Sequence, residues 1–132
     1  MIGRTLLVWL LIMALETMHG VLRNRFLTPV VGDLHARQIG ALAGSLLVLG
    51  TALLLIRWVR PDSFRALLGI GVLWLILTLA FEFGLGRAVG KSWSDLLADY
   101  NLAHGGLLSL GMVVLVLAPW LAARIRSVPG LN

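Results

Sequence analysis

"MALETMHGVLR" runs from Met13 to Arg23, and "LAFEFGLGRAV" from Leu79 to Val89. Each places a glutamate at the end of a long apolar run and follows it with a glycine and an arginine. Glu16 and Glu82 are the only glutamates of the chain. An α-helix needs roughly 20 residues to cross a bilayer. The two runs reach that length only if the helix continues through the glutamate, so the fold class turns on how these stretches are read.

Outward from them, four apolar stretches divide the sequence: residues 5–15, 38–56, 66–81 and 102–123. The chain has 132 residues, of which 59% are hydrophobic and 13% charged. A soluble domain carries about 25% charged residues. Too few polar side chains remain here to clothe four such helices in water. The expected fold is all-α: a four-helix transmembrane bundle, with the lipid bilayer as its surroundings. The segment after the first run, "ETMHGVLRNR", lacks a small-x-small cleavage pattern, so the first helix is expected to be permanent rather than a signal peptide. No cysteine is present, which removes disulfides and thiolate chemistry. The net charge of +5 bears on topology, and no stripe of aromatic and basic residues suggests a nucleic-acid partner.

The sequence resembles itself when shifted by half its 132 residues. Glu16 then falls on Glu82, Gly20 on Gly86, Asp33 on Asp99 and Gly40 on Gly106. Leucine matches are cheap in such a chain, but these four sit at the same element boundaries. The expectation is an internal duplication, repeat 1 over 1–66 and repeat 2 over 67–132, forming two parallel two-helix hairpins within a single membrane domain. In each unit a helix ends in a glutamate-containing turn, a polar connection of about a dozen residues follows, and a second helix starts after an aspartate. Asp33 and Asp99 are expected to cap those second helices, where free N–H groups and the helix dipole favour an anion. Pro61 suits a stop between the halves, with Asp62 or Ser63 capping the third helix.

Four crossings put both termini on one side. That side carries Arg4, Arg57, Arg60, Arg65, Arg124 and Arg126 close to helix ends, which places it in the cytoplasm. On the other side, "KSWSDLLADYNLA" spaces Trp93, Leu96, Leu97 and Tyr100 as one face of a short interfacial helix. The first half's "FLTPVVGDL" is expected to dip into the interface or cover the helix ends. The pattern Glu16-x-x-His19-Gly20-x-x-Arg23, with "DLHARQ" after it, resembles small bacterial inner-membrane proteins in style. The resemblance implies a bacterial-type inner membrane and no particular activity.

A carboxylate facing lipid costs a few kcal/mol unless paired or neutral, so both glutamates are expected to face the bundle interior. Glu16, His19 and Arg23, at i, i+3 and i+7, share a helix face. His35, Arg37 and Gln38 open the second helix at the same level, and the second half adds Glu82, Arg87 and His104. Two readings stand for this cluster: structural Glu–Arg clamps between helix ends, or an intramembrane polar site on a proton, ion or solute pathway. The Glu16-x-x-His19 pair echoes the ligand motif of di-iron bundles, but its second copy is missing, so neither a metal nor any other cofactor is expected. No serine has a histidine and an acid at a recognisable spacing, so no catalytic residues are expected and the balance leans away from an enzyme.

Small residues Gly40 and Gly44 on the second helix, and Gly105, Gly106 and Ser109 on the fourth, let backbones approach in lipid. They are read as packing the second helix against the fourth. Four helices hardly enclose a pathway, so the leading expectation is a small ion or solute transporter or channel working as a homo-oligomer. The alternative is a non-catalytic accessory or scaffold subunit of a larger membrane complex, its charged cluster purely structural.

Overall fold

The computed structural model describes residues 2–98, 100–101 and 107–126. The described residues are helical with short turns, and no strand occurs among them. The elements are α1 (Ile2–Leu22), a π-helical turn (Arg23–Leu27), α2 (Thr28–Val31), α3 (Asp33–Val59), α4 (Phe64–Ala88), α5 (Trp93–Ala98) and α6 (Leu108–Ile125). Four helical runs are long and apolar enough to cross a membrane: Ile2–Val31, Asp33–Val59, Phe64–Ala88 and Leu108–Ile125.

The first run corrects the expected boundary. Helix α1 does not stop at its glutamate; with the π-turn and α2 it extends to Val31, and Glu16 lies near its midpoint. Pro29 lacks an N–H and its ring crowds the carbonyl four residues back, so an ordinary α-helix would kink or end here. The wider π-turn just before it absorbs the conflict: both the backbone N–H and, at 3.3 Å, the hydroxyl of Thr28 donate to the carbonyl of Arg23. The expected polar connection is instead one residue, Gly32, whose φ of 87° and ψ of 164° reverse the chain directly into α3.

The other turns follow local chemistry. Arg60 adopts a left-handed conformation after α3 and Pro61 prevents continuation. The hydroxyl of Ser63, not Asp62, accepts from the N–H of Ala66 at 3.0 Å and caps α4. Asp33 is not a capping side chain as expected: Gly32 holds the cap position, and Asp33 sits in the first turn, paired to Arg37 at 3.0 Å. Asp99 lies outside the described residues.

In the bundle, α3 and α6 make the most extensive contact, α4 packs on α6, α1 packs on α3, and α1 meets α4 only sparsely. A backbone approach between α4 and α6 depends on Gly71, where a Cβ would strike the carbonyl of Val116. The hydrophobic core is concentrated at the end that carries residues 57–65 and the start of α1. It gathers Val8, Ile12, Ala52, Ile56, Leu67, Trp74 and Ala118, each at most 2% exposed. Two indole groups tie α1 to α4 there: Trp74 donates to the carbonyl of Thr5 and Trp9 to the hydroxyl of Thr78. Outside, the helices are apolar too. Between 22% and 33% of the most apolar window of each run is buried inside the chain, and Leu46 and Leu54 are 71% and 75% exposed.

Candidate functional site

Toward the α2 and α5 end, the bundle opens into a cavity of about 360 Å³ between α1, α3, α4 and α6. Helical phase decides which side chains reach it. From α1 come Met13, Glu16, Thr17, Gly20 and, in the π-turn, Arg23. These recur at intervals of three and four and so occupy one face. From α3 come Arg37, Gln38, Ala41, Gly44, Ser45 and Val48 at the same intervals. Thr78, Phe81, Glu82 and Leu85 of α4 complete the wall with Gly111, Met112 and Leu115 of α6. The two glutamates of the chain therefore line one cavity, although α1 and α4 scarcely touch.

The structure brings together six of the residues singled out from sequence: Glu16, His19, Arg23, Arg37, Gln38 and Glu82. It does not bring His35 or Arg87 to the cavity. His35 is exposed and is not among the residues that line the cavity. Arg87 lies five residues after Glu82 and is exposed; it sits over the ring of Trp93 at 5.1 Å and donates to the carbonyl of Lys91 at 3.2 Å. His104 lies outside the described residues. Asn24, Ser45 and Lys91 line the cavity and were not singled out as site residues. Ser45 and Asn24 follow from the same helical faces, whereas Lys91 comes from the turn after α4, which periodicity does not reach.

Glu16 is only 23% exposed, and its Oε2 approaches Nδ1 of His19, 24% exposed, at 4.0 Å. Its carboxylate lies within electrostatic reach of both Glu82 and Arg23. Glu16 and Arg23 rest on α3 at the two glycines. A Cβ on Gly44 would come within 2.7 Å of Glu16 Oε2, and one on Gly40 within 2.7 Å of Arg23 Cδ. The Gly40–Gly44 pair is thus not chiefly a seam between α3 and α6, as expected from sequence, but two notches that admit polar side chains from α1. Glu16 Oε1 and Arg23 Nε are buried and accept or donate no hydrogen bond among the described residues.

Of the other expected packing residues, Ser109 alone is among those described. The Ser109 hydroxyl, in the first turn of α6, donates to the carbonyl of Tyr100, which lies before that helix. Gly105 and Gly106 lie outside the described residues. Helix α5 follows its expected face in part: Leu96 is buried against Gly86, while Phe83 stacks on both Trp93 and Tyr100 at centroid distances of 6.0 and 5.5 Å.

Chemically, the cavity offers two carboxylates, an imidazole, two guanidinium groups, an ammonium and two amides. That set can bind ions, hold a polar solute or relay protons. Among the described residues no three His, Asp or Glu side chains gather as metal ligands. No protein-family model matches the chain, and neither a curated protein nor a solved structure is significantly similar to it.

Proposed function

We propose that this chain is an integral membrane protein of a bacterial-type inner membrane that moves an ion or small solute through the Glu16–Glu82 cavity. The observation that carries the reading is the combination of a charged cavity inside with an apolar exterior. Two carboxylates close to one another inside an apolar bundle are costly, and groups of that kind in membranes usually serve ions, protons or solutes. A cavity of about 360 Å³ falls within the range of small-molecule sites.

The two halves, 1–66 and 67–132, act as duplicated hairpins in this reading. The pairing of α1 with α3 and of α4 with α6, joined through α3 and α6, supports that arrangement. Both termini lie in the cytoplasm, where Arg4, Arg57, Arg60, Arg65 and Arg124 flank the helix ends. The cavity then opens to the opposite side. Four helices hardly enclose a pathway across the bilayer, so in this reading the working unit is a homo-oligomer.

A second reading is favoured by the way Glu16 and Arg23 fit the glycine notches of α3. Side chains so closely seated also suit a fixed clamp, and the protein is then a scaffold subunit of a larger membrane complex. Flux measurements separate the two. Purified protein in liposomes is expected to carry protons, ions or a small polar solute, and Glu16→Gln is expected to lower that flux at least tenfold while the helical content and oligomeric size persist. A folded Glu16→Gln protein with unchanged flux, or no flux from wild type while a fixed partner co-purifies, favours the scaffold.

A further inference from the structure

The cavity sorts its charges along the bundle axis. Its floor is made by Met13, Val48 and Leu115, next to the two carboxylates. Its outer part carries Arg23, Arg37 and Lys91, of which Arg37 is already paired with Asp33. The notches that seat Glu16 and Arg23 are four residues apart on α3, or about 6 Å along its axis. Each of these two side chains has a buried polar atom, Glu16 Oε1 and Arg23 Nε, with no hydrogen bond among the described residues. Buried polar atoms are satisfied in the great majority of cases, so a hydrogen-bond donor is wanted beside Glu16 Oε1 and an acceptor beside Arg23 Nε.

Single-charge ligands meet only one of these demands. A simple cation would neutralise the carboxylates but must pass Arg23 and Lys91 first. A simple anion would stop at those cations and leave Glu16 and Glu82 facing each other. On the reading of the cavity as a solute site, we propose that its ligand is a small zwitterion. Its ammonium group lies between Glu16 and Glu82, and its anionic group is held by Arg23 and Lys91, with the two charges about one helical turn apart. An ω-amino acid has this form, and so does the headgroup of an ethanolamine phospholipid entering from the bilayer.

The full-length protein in nanodiscs free of ethanolamine lipid is titrated calorimetrically with 4-aminobutyrate, O-phosphoethanolamine, n-butylamine and butyrate. At least one zwitterion is expected to bind tenfold or more tightly than either half-ligand. Glu16→Gln is expected to weaken that zwitterion at least tenfold and to leave butyrate unchanged. Lys91→Gln, at an exposed position, is expected to weaken it likewise and to leave butylamine unchanged. Repeating the titration in discs that contain phosphatidylethanolamine identifies the source: competition by the lipid assigns the site to the headgroup, and an unchanged affinity assigns it to a free solute. Butylamine or butyrate binding as tightly as both zwitterions overturns the inference while leaving a cation or anion site, and hence the transport reading, standing. Failure of all four probes to bind, with flux of a simple ion intact, likewise overturns the zwitterion alone; loss of both binding and flux removes the two together.

Discussion

Trp74 donates its indole N–H to the backbone carbonyl of Thr5 at 3.1 Å, across 69 positions of sequence, and is itself fully buried. Trp9 makes a reciprocal link to the hydroxyl of Thr78 at 3.0 Å and meets Phe81 edge-on. These bonds hold α1 and α4 together where the two helices otherwise touch little, and they close the floor below the cavity. Interhelical hydrogen bonds in membranes average about 0.6 kcal/mol, whereas truncating a large buried aromatic costs about 3–5 kcal/mol. Trp74→Phe is therefore expected to destabilise by roughly 1 kcal/mol and Trp74→Ala by several times that. Reversible unfolding in mixed micelles measures both, and equal losses from the two variants would show that packing contributes nothing.

Two of the tightly packed glycines, Gly71 and Gly44, are expected to differ in kind. At Gly71 an added methyl meets the Val116 backbone, which cannot move without shifting α6. At Gly44 it meets the far end of the flexible Glu16 side chain. Overpacking costs about 1–3 kcal/mol, with the upper part of that range falling where the neighbour is rigid. Gly71→Ala is expected to lower stability by about 2 kcal/mol or more, with any loss of flux following the loss of folded protein. Gly44→Ala is expected to cost about 1 kcal/mol or less and to abolish flux by displacing the carboxylate. Unfolding and flux assays on the same preparations decide this, and a Gly44→Ala protein with full flux contradicts the placement of Glu16.

Gly32 makes the whole turn between α2 and α3 with φ 87° and ψ 164°, a region that essentially only glycine occupies. Gly32→Ala is expected to cost about 1–3 kcal/mol. By contrast, Gly20→Ala is expected to be neutral or slightly stabilising, because nothing lies within 4 Å of its position and alanine favours helix. Thermal denaturation of the two variants side by side gives the comparison; equal stabilities would mean that the reversal at Gly32 is relaxed.

Topology gives a fourth expectation. The chain has no cysteine, so single-cysteine variants report cleanly. Ser63→Cys, in the turn between α3 and α4, and Ser92→Cys, in the turn after α4, are expected to react with an impermeant thiol reagent from opposite faces of sealed membrane vesicles. Labelling of both from the same face contradicts four crossings.

Much of this was legible in the sequence because lipid-compatible helices announce themselves by length and composition. The continuation of the first helical run beyond Arg23 to Val31 was not legible, since Pro29 and the polar residues 23–25 argue locally for a break; the π-turn that absorbs them is a backbone adjustment without a sequence signature. Site membership was legible wherever helical phase was applied strictly. The spacing of Arg87 from Glu82 already sets it on a different face, whereas His35 stands three residues before Gln38 and its exclusion does not follow from phase. Gly40 and Gly44 resisted because a GxxxG pair marks close approach without saying what approaches, and here it is a carboxylate and a guanidinium group.

The central claim, a polar cavity inside a lipid-clad bundle, is tested most directly at two neighbouring positions. Ser45 lines the cavity, and Leu46, beside it at the same depth, is 71% exposed on the outside. Each is replaced singly by cysteine, and the rate of reaction with a small charged thiol reagent is measured in the reconstituted bilayer. Ser45→Cys is expected to react and Leu46→Cys to remain unmodified. Faster reaction at Leu46→Cys than at Ser45→Cys would mean that water lies outside and no hydrated cavity within, and would contradict the claim.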